Sequence, residues 1–179
     1  MLTAKRALVL GDGDGRFTQR LLQSNPSVIV HAVDSSKAML HQLLCRAGSH
    51  ASRVRMEHID ARLWRPGDEH YDLVVTHFFL DCFSTSEVEQ LISRVHGATD
   101  EKTLWVISDF HVSDSLFGRL VALPIVNSLY LGFRILTGLG ARKLPEYHPA
   151  LQEAGFACRQ HRSVLGGLLI AECWQQASD

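Results

Sequence analysis

A glycine-rich turn near the amino terminus carries the first residues whose types and spacing could do chemistry. Residues 11–15 read GDGDG, after the apolar run 5–10 and before a stretch with helical spacing. Glycine allows a tight turn and lets backbone N–H groups approach a ligand closely. The two carboxylates of Asp12 and Asp14 would repel a pyrophosphate seated at the start of the helix, and would suit a cationic ligand without phosphate. The G-x-G-x-G spacing also differs from the dinucleotide pattern G-x-G-x-x-G.

Acidic residues follow the next two apolar runs. Asp34 ends the run 28–33, where a carboxylate can accept hydrogen bonds from both hydroxyls of a ribose or can cap the following helix. Asp60 follows the run 54–59, and its carboxylate can accept from an adenine amino group while the Ala61 N–H donates to a ring nitrogen. Together with the turn, these positions favour an adenosyl sulfonium over NAD.

Candidates for proton transfer follow the fourth and fifth apolar runs. His77 and Asp81 lie at the end of the fourth, and Asp109 and His111 follow the fifth. We take His77, Asp81 and His111 as candidate general bases or substrate-positioning residues, because each lies at the carboxyl end of a predicted strand. For each histidine the alternative is an ordinary packed or solvated side chain.

The elements that must position these residues alternate along the chain. Strand and helix patterns alternate five times before a final hairpin, which predicts a parallel sheet with helices on both faces. The predicted strands are 5–10, 28–33, 54–59, 71–79, 104–108, 156–164 and 168–174, and the predicted helices are 16–22, 35–45, 85–96 and 149–154. This is an α/β, Rossmann-like, doubly wound and mostly parallel seven-stranded sheet with a C-terminal antiparallel hairpin. Its ligands bind beyond the carboxyl ends of the strands.

The segments ALVLGDGDGRF, HAVDSS, HIDARLW and YDLVVTHFFLDCF resemble, in order and spacing, successive motifs of class I S-adenosylmethionine-dependent methyltransferases. The resemblance implies one S-adenosylmethionine-binding domain over 1–179. It implies that the glycines line the methionine and ribose of the cofactor, that Asp34 binds the ribose and that Asp60 with Ala61 holds the adenine. The full set of cofactor-binding residues that we predict is Gly11, Asp12, Gly13, Gly15, Asp34, Ser35, Asp60, Ala61 and His77.

Two departures from that family keep other functions open. The family often has an acid two residues before the first glycine, where this chain has Val9, and Asp12 or Asp14 is the candidate substitute. It usually also has a helix before the first strand, and only about six residues precede that strand here. The alternative function is therefore a non-catalytic S-adenosylmethionine-binding module or partner subunit. A nucleotide-dependent oxidoreductase is a third candidate function, but the spacing of the glycines and the two aspartates of the turn argue against it.

A long apolar segment follows the fifth strand. Residues 114–139 contain Pro124 and Arg134, which a membrane-spanning helix would tolerate poorly. We expect a helical lid over a substrate pocket, with peripheral membrane contact through 116–139 as the alternative. Phe78 or Phe79 could pack on the adenine or on the acceptor. These features predict a small, apolar or lipid-like acceptor.

Composition narrows the remaining classes of partner. The formal net charge of -1 gives no bulk attraction for nucleic acid. The four cysteines form no C-x-x-C pair, so no zinc site is expected. The first residues lack a signal-peptide pattern, and we expect a cytoplasmic protein with free thiols.

Overall fold

A computed structural model describes residues 3–110, 145–164 and 168–176. The predicted lid at 114–139, His111 and the Gly166-Gly167 turn lie outside these residues. The described chain builds a seven-stranded sheet in the order β3-β2-β1-β4-β5-β7-β6. Its strands are β1 (Arg6–Leu10), β2 (Ile29–Asp34), β3 (Val54–His58), β4 (Leu73–His77), β5 (Leu104–Phe110), β6 (Phe156–Val164) and β7 (Leu169–Gln176). The described helices are α1 (Arg16–Ser24), α2 (Lys37–Ala47), α3 (Thr85–His96) and α4 (His148–Glu153), with short 3-10 turns at Gly48–Arg53 and Leu80–Cys82.

The pairing of the strands confirms the predicted fold class. Strands β1 to β5 are parallel, while β7 runs antiparallel to both β5 and β6. Val9 of β1 pairs with Ala32 of β2 on one side and with Val75 of β4 on the other. The strand order therefore reverses at β1, and in sheets of this type the ligand crevice lies beyond the carboxyl ends of the strands at that point, here β1 and β4.

Hydrophobic cores cover both faces of the sheet. Leu8 and Leu10 of β1 face a core that includes α3, whereas Val9 faces a second core with α1 and α2. Because β1 is buried on both faces, its sequence is a continuous apolar run rather than an alternating one. Trp64 and Trp105 are fully buried in the α3 core. These cores fix the strand ends that carry the candidate residues.

Local signals in the sequence determine where two helices begin and end. Ser84 and Glu87 form a capping box at the start of α3, which spans the predicted residues. Ser36 caps α2 by accepting from the Met39 N–H, and α2 ends at Gly48, whose φ is 55°. Among the helices of the described residues, none combines the length and apolarity that crossing a bilayer requires.

Among the strand ends that differ from the sequence prediction, those of β4 and β5 lie at the candidate site. Strand β4 ends at His77 instead of Phe79, because Phe78 adopts a φ of 50° and leaves the extended conformation. Strand β5 continues to Phe110 instead of ending at Ser108, since β7 pairs with it as far as Leu169. Asp109 therefore lies inside a strand, opposite Ile170.

Candidate functional site

The glycine-rich turn contains three glycines in left-handed conformations, but only one of them faces open space. The φ angles of Gly11, Gly13 and Gly15 are 68°, 58° and 83°. A Cβ on Gly11 would overlap the Phe79 ring, and one on Gly15 would lie 2.6 Å from the Leu43 Cα. A Cβ on Gly13 would meet nothing within 4 Å. Gly13 is thus the position of the turn that a ligand can approach, while the other two glycines let the turn pack.

Asp12 occupies the start of helix α1. Its carboxylate accepts hydrogen bonds from the backbone N–H of Phe17 at 3.3 Å and of Thr18 at 2.8 Å. The amino end of a helix carries a partial positive charge and free N–H groups, which is where phosphates bind in dinucleotide sites. Here the chain's own carboxylate takes that place. The turn is consequently unsuited to a pyrophosphate.

Asp14 is directed toward helix α2. It forms ion pairs with Arg46 at 2.7 Å and with Arg16 at 3.0 Å, and its hydrogen bond to Arg16 lowers the pKa of its carboxyl. Where the family often carries an acid, this chain has Val9, whose side chain is buried in the core. Both candidate substitutes, Asp12 and Asp14, have carboxylates engaged with other partners.

Asp34 ends β2 beside the turn. One of its carboxylate oxygens accepts from the Ser36 N–H at 2.7 Å, and Ser36 itself provides the side-chain cap of α2. Within the described part of the chain, no donor reaches the second oxygen. Burial raises the pKa of Asp34, and the nearby charge of Asp12 acts in the same direction. The adjacent Ser35 carbonyl lies 2.9 Å from the His58 Nε2. Asp34 therefore retains a free acceptor at the crevice.

Asp60 and Ala61 follow β3, next to the end of β2. The Arg62 guanidinium contacts both Asp60 oxygens and lowers the pKa of that carboxyl. Ala61 is buried, and its carbonyl accepts from Arg94 at 3.1 Å. In the regions that the structure describes, nothing accepts a hydrogen bond from the Ala61 N–H. An acceptor and a donor are thus available side by side.

His77 lies on the same side of the sheet as the turn. Its ring makes an edge contact with Phe17, with the centroids 4.8 Å apart. Burial lowers the pKa of His77, although the charge of Asp12 opposes that effect. The imidazole is therefore neutral near pH 7 and able to accept a hydrogen bond.

Asp81 forms a buried carboxyl pair with Asp109. The Asp81 N–H donates to the Asp109 Oδ2 at 3.2 Å, and the two side chains also hydrogen-bond to each other. Asp109 is only 2% exposed and Asp81 only 7%. Burial, and then repulsion by Asp81, raises the pKa of Asp109 to about 8, so the pair holds a shared proton at neutral pH. Two adjacent buried carboxyls at the ends of β4 and β5 are a suitable proton acceptor.

His77 and Asp81, two of the residues predicted to be catalytic, make different described contacts. The described partners of His77 are Phe17 and Asp12, and no described contact joins it to Asp81. His111 lies outside the described residues. Sequence reasoning placed Asp109 near the site but did not predict its pairing with Asp81, because that contact depends on the turn Leu80–Cys82 after β4.

An aromatic pair, Phe78 and Phe110, lies at the carboxyl ends of β4 and β5. Phe78 is the non-glycine residue with positive φ among those described, and it is 47% exposed. Its ring lies 5.1 Å from that of Phe110. An exposed aromatic side chain on strained backbone is unusual for a structural role and is typical of a binding site.

A second polar cluster, also missed by sequence reasoning, surrounds Glu172. This buried carboxylate contacts His148 at 3.0 Å, His161 at 2.9 Å, the Trp174 indole at 2.9 Å and the Tyr147 hydroxyl at 3.3 Å. These hydrogen bonds hold the pKa of Glu172 at about 2 despite its burial. An acid inside the apolar run 168–174 was the available signal. The cluster joins α4 to the hairpin of β6 and β7.

Metal chemistry finds no support in the described ranges. No group of three or more His, Cys, Asp or Glu side chains there has the arrangement of a metal site.

Comparisons with known proteins agree on the type of domain. The family described as "Methyltransferase domain" matches residues 7–102. The chain is 28% identical over 166 residues to malonyl-[acyl-carrier protein] O-methyltransferase from Paenibacillus sp. (strain JDR-2), covering 88% of this chain and 58% of that protein.

Solved structures show the same fold at low sequence identity. The mitomycin 7-O-methyltransferase MmcR superposes with a TM-score of 0.76 at 15% identity, over 97% of this chain and 49% of that one. An O-methyltransferase family protein from Burkholderia thailandensis superposes with a TM-score of 0.76 at 20% identity, over 98% of this chain and 52% of that one. The chain thus spans 58% of the curated relative and about half of these two structures. The family match covers more than half of the chain, so the chain belongs to the methyltransferase domain family, which confirms the resemblance to class I S-adenosylmethionine-dependent methyltransferases.

Proposed function

We propose that this protein transfers a methyl group from S-adenosylmethionine to the oxygen of a small, apolar or lipid-like acceptor. One observation carries the proposal. Acceptor carboxylates for an adenosyl ligand lie at the ends of β2 and β3, while Asp12 occupies the place at α1 that a phosphate would need. This combination suits an adenosyl ligand without phosphate.

The residues present fit the cofactor. Gly13 leaves open space, Asp34 keeps one oxygen for the ribose hydroxyls, and Asp60 with the Ala61 N–H offers the acceptor and donor that an adenine edge requires. When bound, S-adenosylmethionine supplies a methyl carbon activated by the adjacent sulfonium. The protein then has to position a nucleophile and exclude water.

The acceptor side is built by β4 and β5. Phe78 and Phe110 offer an apolar surface for the body of the acceptor. The Asp81–Asp109 pair takes up the proton that a hydroxyl loses as its oxygen becomes methylated. His77 stays on the cofactor side, where its neutral ring accepts a hydrogen bond rather than a substrate proton. The names of the curated relative and of the two structures support oxygen as the acceptor atom.

Release of S-adenosylhomocysteine tests this proposal. The wild-type protein is incubated with S-adenosylmethionine and a panel of apolar alcohols, phenols and carboxylic acids. We expect release that depends on one acceptor class, and a loss of roughly 100-fold in kcat for the double variant Asp81→Asn/Asp109→Asn, because it removes both carboxyls and general base catalysis contributes about that much. Glu69→Gln, an exposed acid that pairs with Arg55, is the matched control and should keep full activity.

Two outcomes would contradict parts of the proposal. Tight cofactor binding with no release across the panel would favour the non-catalytic binding module. Full activity of Asp81→Asn/Asp109→Asn on a hydroxyl acceptor would show that the carboxyl pair does not take the proton.

A further inference from the structure

We propose that Arg62 is a specificity-determining positioning residue, which fixes the Asp60 carboxylate so that it reads the amino group of adenine. This inference rests on the proposed function, and it assigns a task to a side chain that the cofactor-binding set does not include.

The contacts between Arg62 and Asp60 define the direction of the carboxylate. The backbone N–H of Arg62 donates to the Asp60 Oδ1 at 2.9 Å. Its guanidinium Nε lies 3.0 Å from each carboxylate oxygen, and its Nη2 lies 2.6 Å from Oδ2. A planar guanidinium that meets both oxygens fixes the plane of a carboxylate, which a single ammonium cannot do.

Arg62 itself contacts the start of helix α3. Its Nη1 lies 3.5 Å from the Glu87 Oε1. Glu87 is fixed in turn by the capping box of α3, where its Oε2 accepts from the Ser84 N–H at 2.8 Å and from the Ser84 hydroxyl at 2.7 Å. The orientation of Asp60 is thereby tied to the start of α3.

The backbone of the loop does not need the Arg62 side chain. The Asp60 carbonyl accepts from the N–H groups of Leu63 at 2.8 Å and Trp64 at 3.0 Å, and Trp64 is fully buried. The Arg62 side chain is 52% exposed, so its removal leaves no cavity. Its role is therefore separable from folding.

An Asp60 carboxylate held in this way prefers a ligand whose edge carries a hydrogen-bond donor. Arg62 places three N–H donors on the carboxylate, and because its Nε–H is shared between both oxygens, each oxygen has two contacts. A carboxylate offers about four lone-pair sites, so three donors leave capacity for one ligand N–H. Because Arg62 keeps the acid ionised, the carboxylate cannot donate to a carbonyl. Adenine presents an amino group there, whereas hypoxanthine presents a carbonyl oxygen.

Calorimetric titration with S-adenosylhomocysteine and S-inosylhomocysteine, which carries that carbonyl, tests the role of Arg62. For the wild type we expect a preference of about 10- to 100-fold for S-adenosylhomocysteine, since the wrong ligand places a carbonyl oxygen against the ionised carboxylate. Arg62→Ala should reduce that preference several-fold, mostly by weakening the binding of S-adenosylhomocysteine. Arg62→Lys should restore only part of the preference. Arg55→Ala, which removes a similar exposed ion pair with Glu69, should leave it unchanged.

Opposite results overturn the inference and separate it from the proposed function. If Arg62→Ala keeps the wild-type preference, Arg62 is neutral toward the ligand. If Arg62→Ala binds S-adenosylhomocysteine more tightly, Arg62 competes with adenine for Asp60. In either case the inference is wrong while the proposed function stands. If the wild type binds neither ligand, both fail. An unchanged preference in Asp60→Asn overturns the inference by removing Asp60 from the adenine site.

Discussion

Individual residues support the proposal that the candidate site has a cofactor side and an acceptor side. Asp34 and Asp60 each keep acceptor capacity, and Asp12 caps the start of α1 with its own negative charge. Asp81 and Asp109, in contrast, satisfy each other in a buried pair. A shared proton is what stabilises two carboxyls at this distance, and it is also what makes the pair able to exchange a proton with an acceptor.

The Asp109 pair predicts an unusual dependence of stability on pH. Because the folded-state pKa of Asp109 is about 8 and its unfolded value is near 3.8, the folded state binds more protons between these values. The contribution of Asp109 to stability is therefore present at low pH and is lost as pH rises toward 8. Asp109→Asn stays neutral, so its melting temperature relative to the wild type should rise between pH 5 and pH 9. A relative melting temperature that is constant or falls over that range would contradict the raised pKa.

At the scale of elements, the turn between β1 and α1 shows why three similar glycines have different roles. Gly15 permits the close packing of α1 against α2, whereas Gly13 borders the open crevice. The sequence assigns all three glycines to the ligand, because a spacing pattern does not show which neighbour fills the space beside each Cα.

Two substitutions separate these roles. Gly13→Ala and Gly15→Ala each place a side chain at positive φ, which costs about 1–2 kcal/mol. Only Gly15→Ala also overlaps the backbone of Leu43, so its loss of unfolding free energy should be the larger, by about 1–3 kcal/mol. Gly13→Ala should instead lose more affinity for S-adenosylhomocysteine. Denaturant unfolding and calorimetry measure the two effects, and the reverse order in either would refute the assignment.

Elements with local signals were predictable from the sequence, and contacts between distant elements were not. The sequence predicts α3 over 85–96, because its capping box and apolar spacing are both local. It places the end of β4 two residues too late, since the φ of Phe78 is set by packing after the strand. The pairing of Asp81 with Asp109 and the cluster around Glu172 depend on how β5 and β7 align. No spacing in the chain encodes that alignment.

For the whole molecule, the strand order gathers residues that are far apart in sequence at one edge. Reversal at β1 places the ends of β1, β2 and β3 on one side of the crevice and those of β4 and β5 on the other. A cofactor and an acceptor can then meet above β1 and β4. This division was predictable from alternating strands and helices, because right-handed crossovers leave few other arrangements.

We propose that the crevice binds an adenosyl ligand without phosphate, and competitive calorimetry with S-adenosylhomocysteine and NAD is the decisive test. We predict that the wild type binds S-adenosylhomocysteine and binds NAD far more weakly, because Asp12 occupies the phosphate position at α1. Asp34→Asn keeps the bond to the Ser36 N–H but loses a carboxylate oxygen. It should therefore weaken the binding of S-adenosylhomocysteine by about 1–3 kcal/mol. NAD binding as tight as that of S-adenosylhomocysteine would contradict the account.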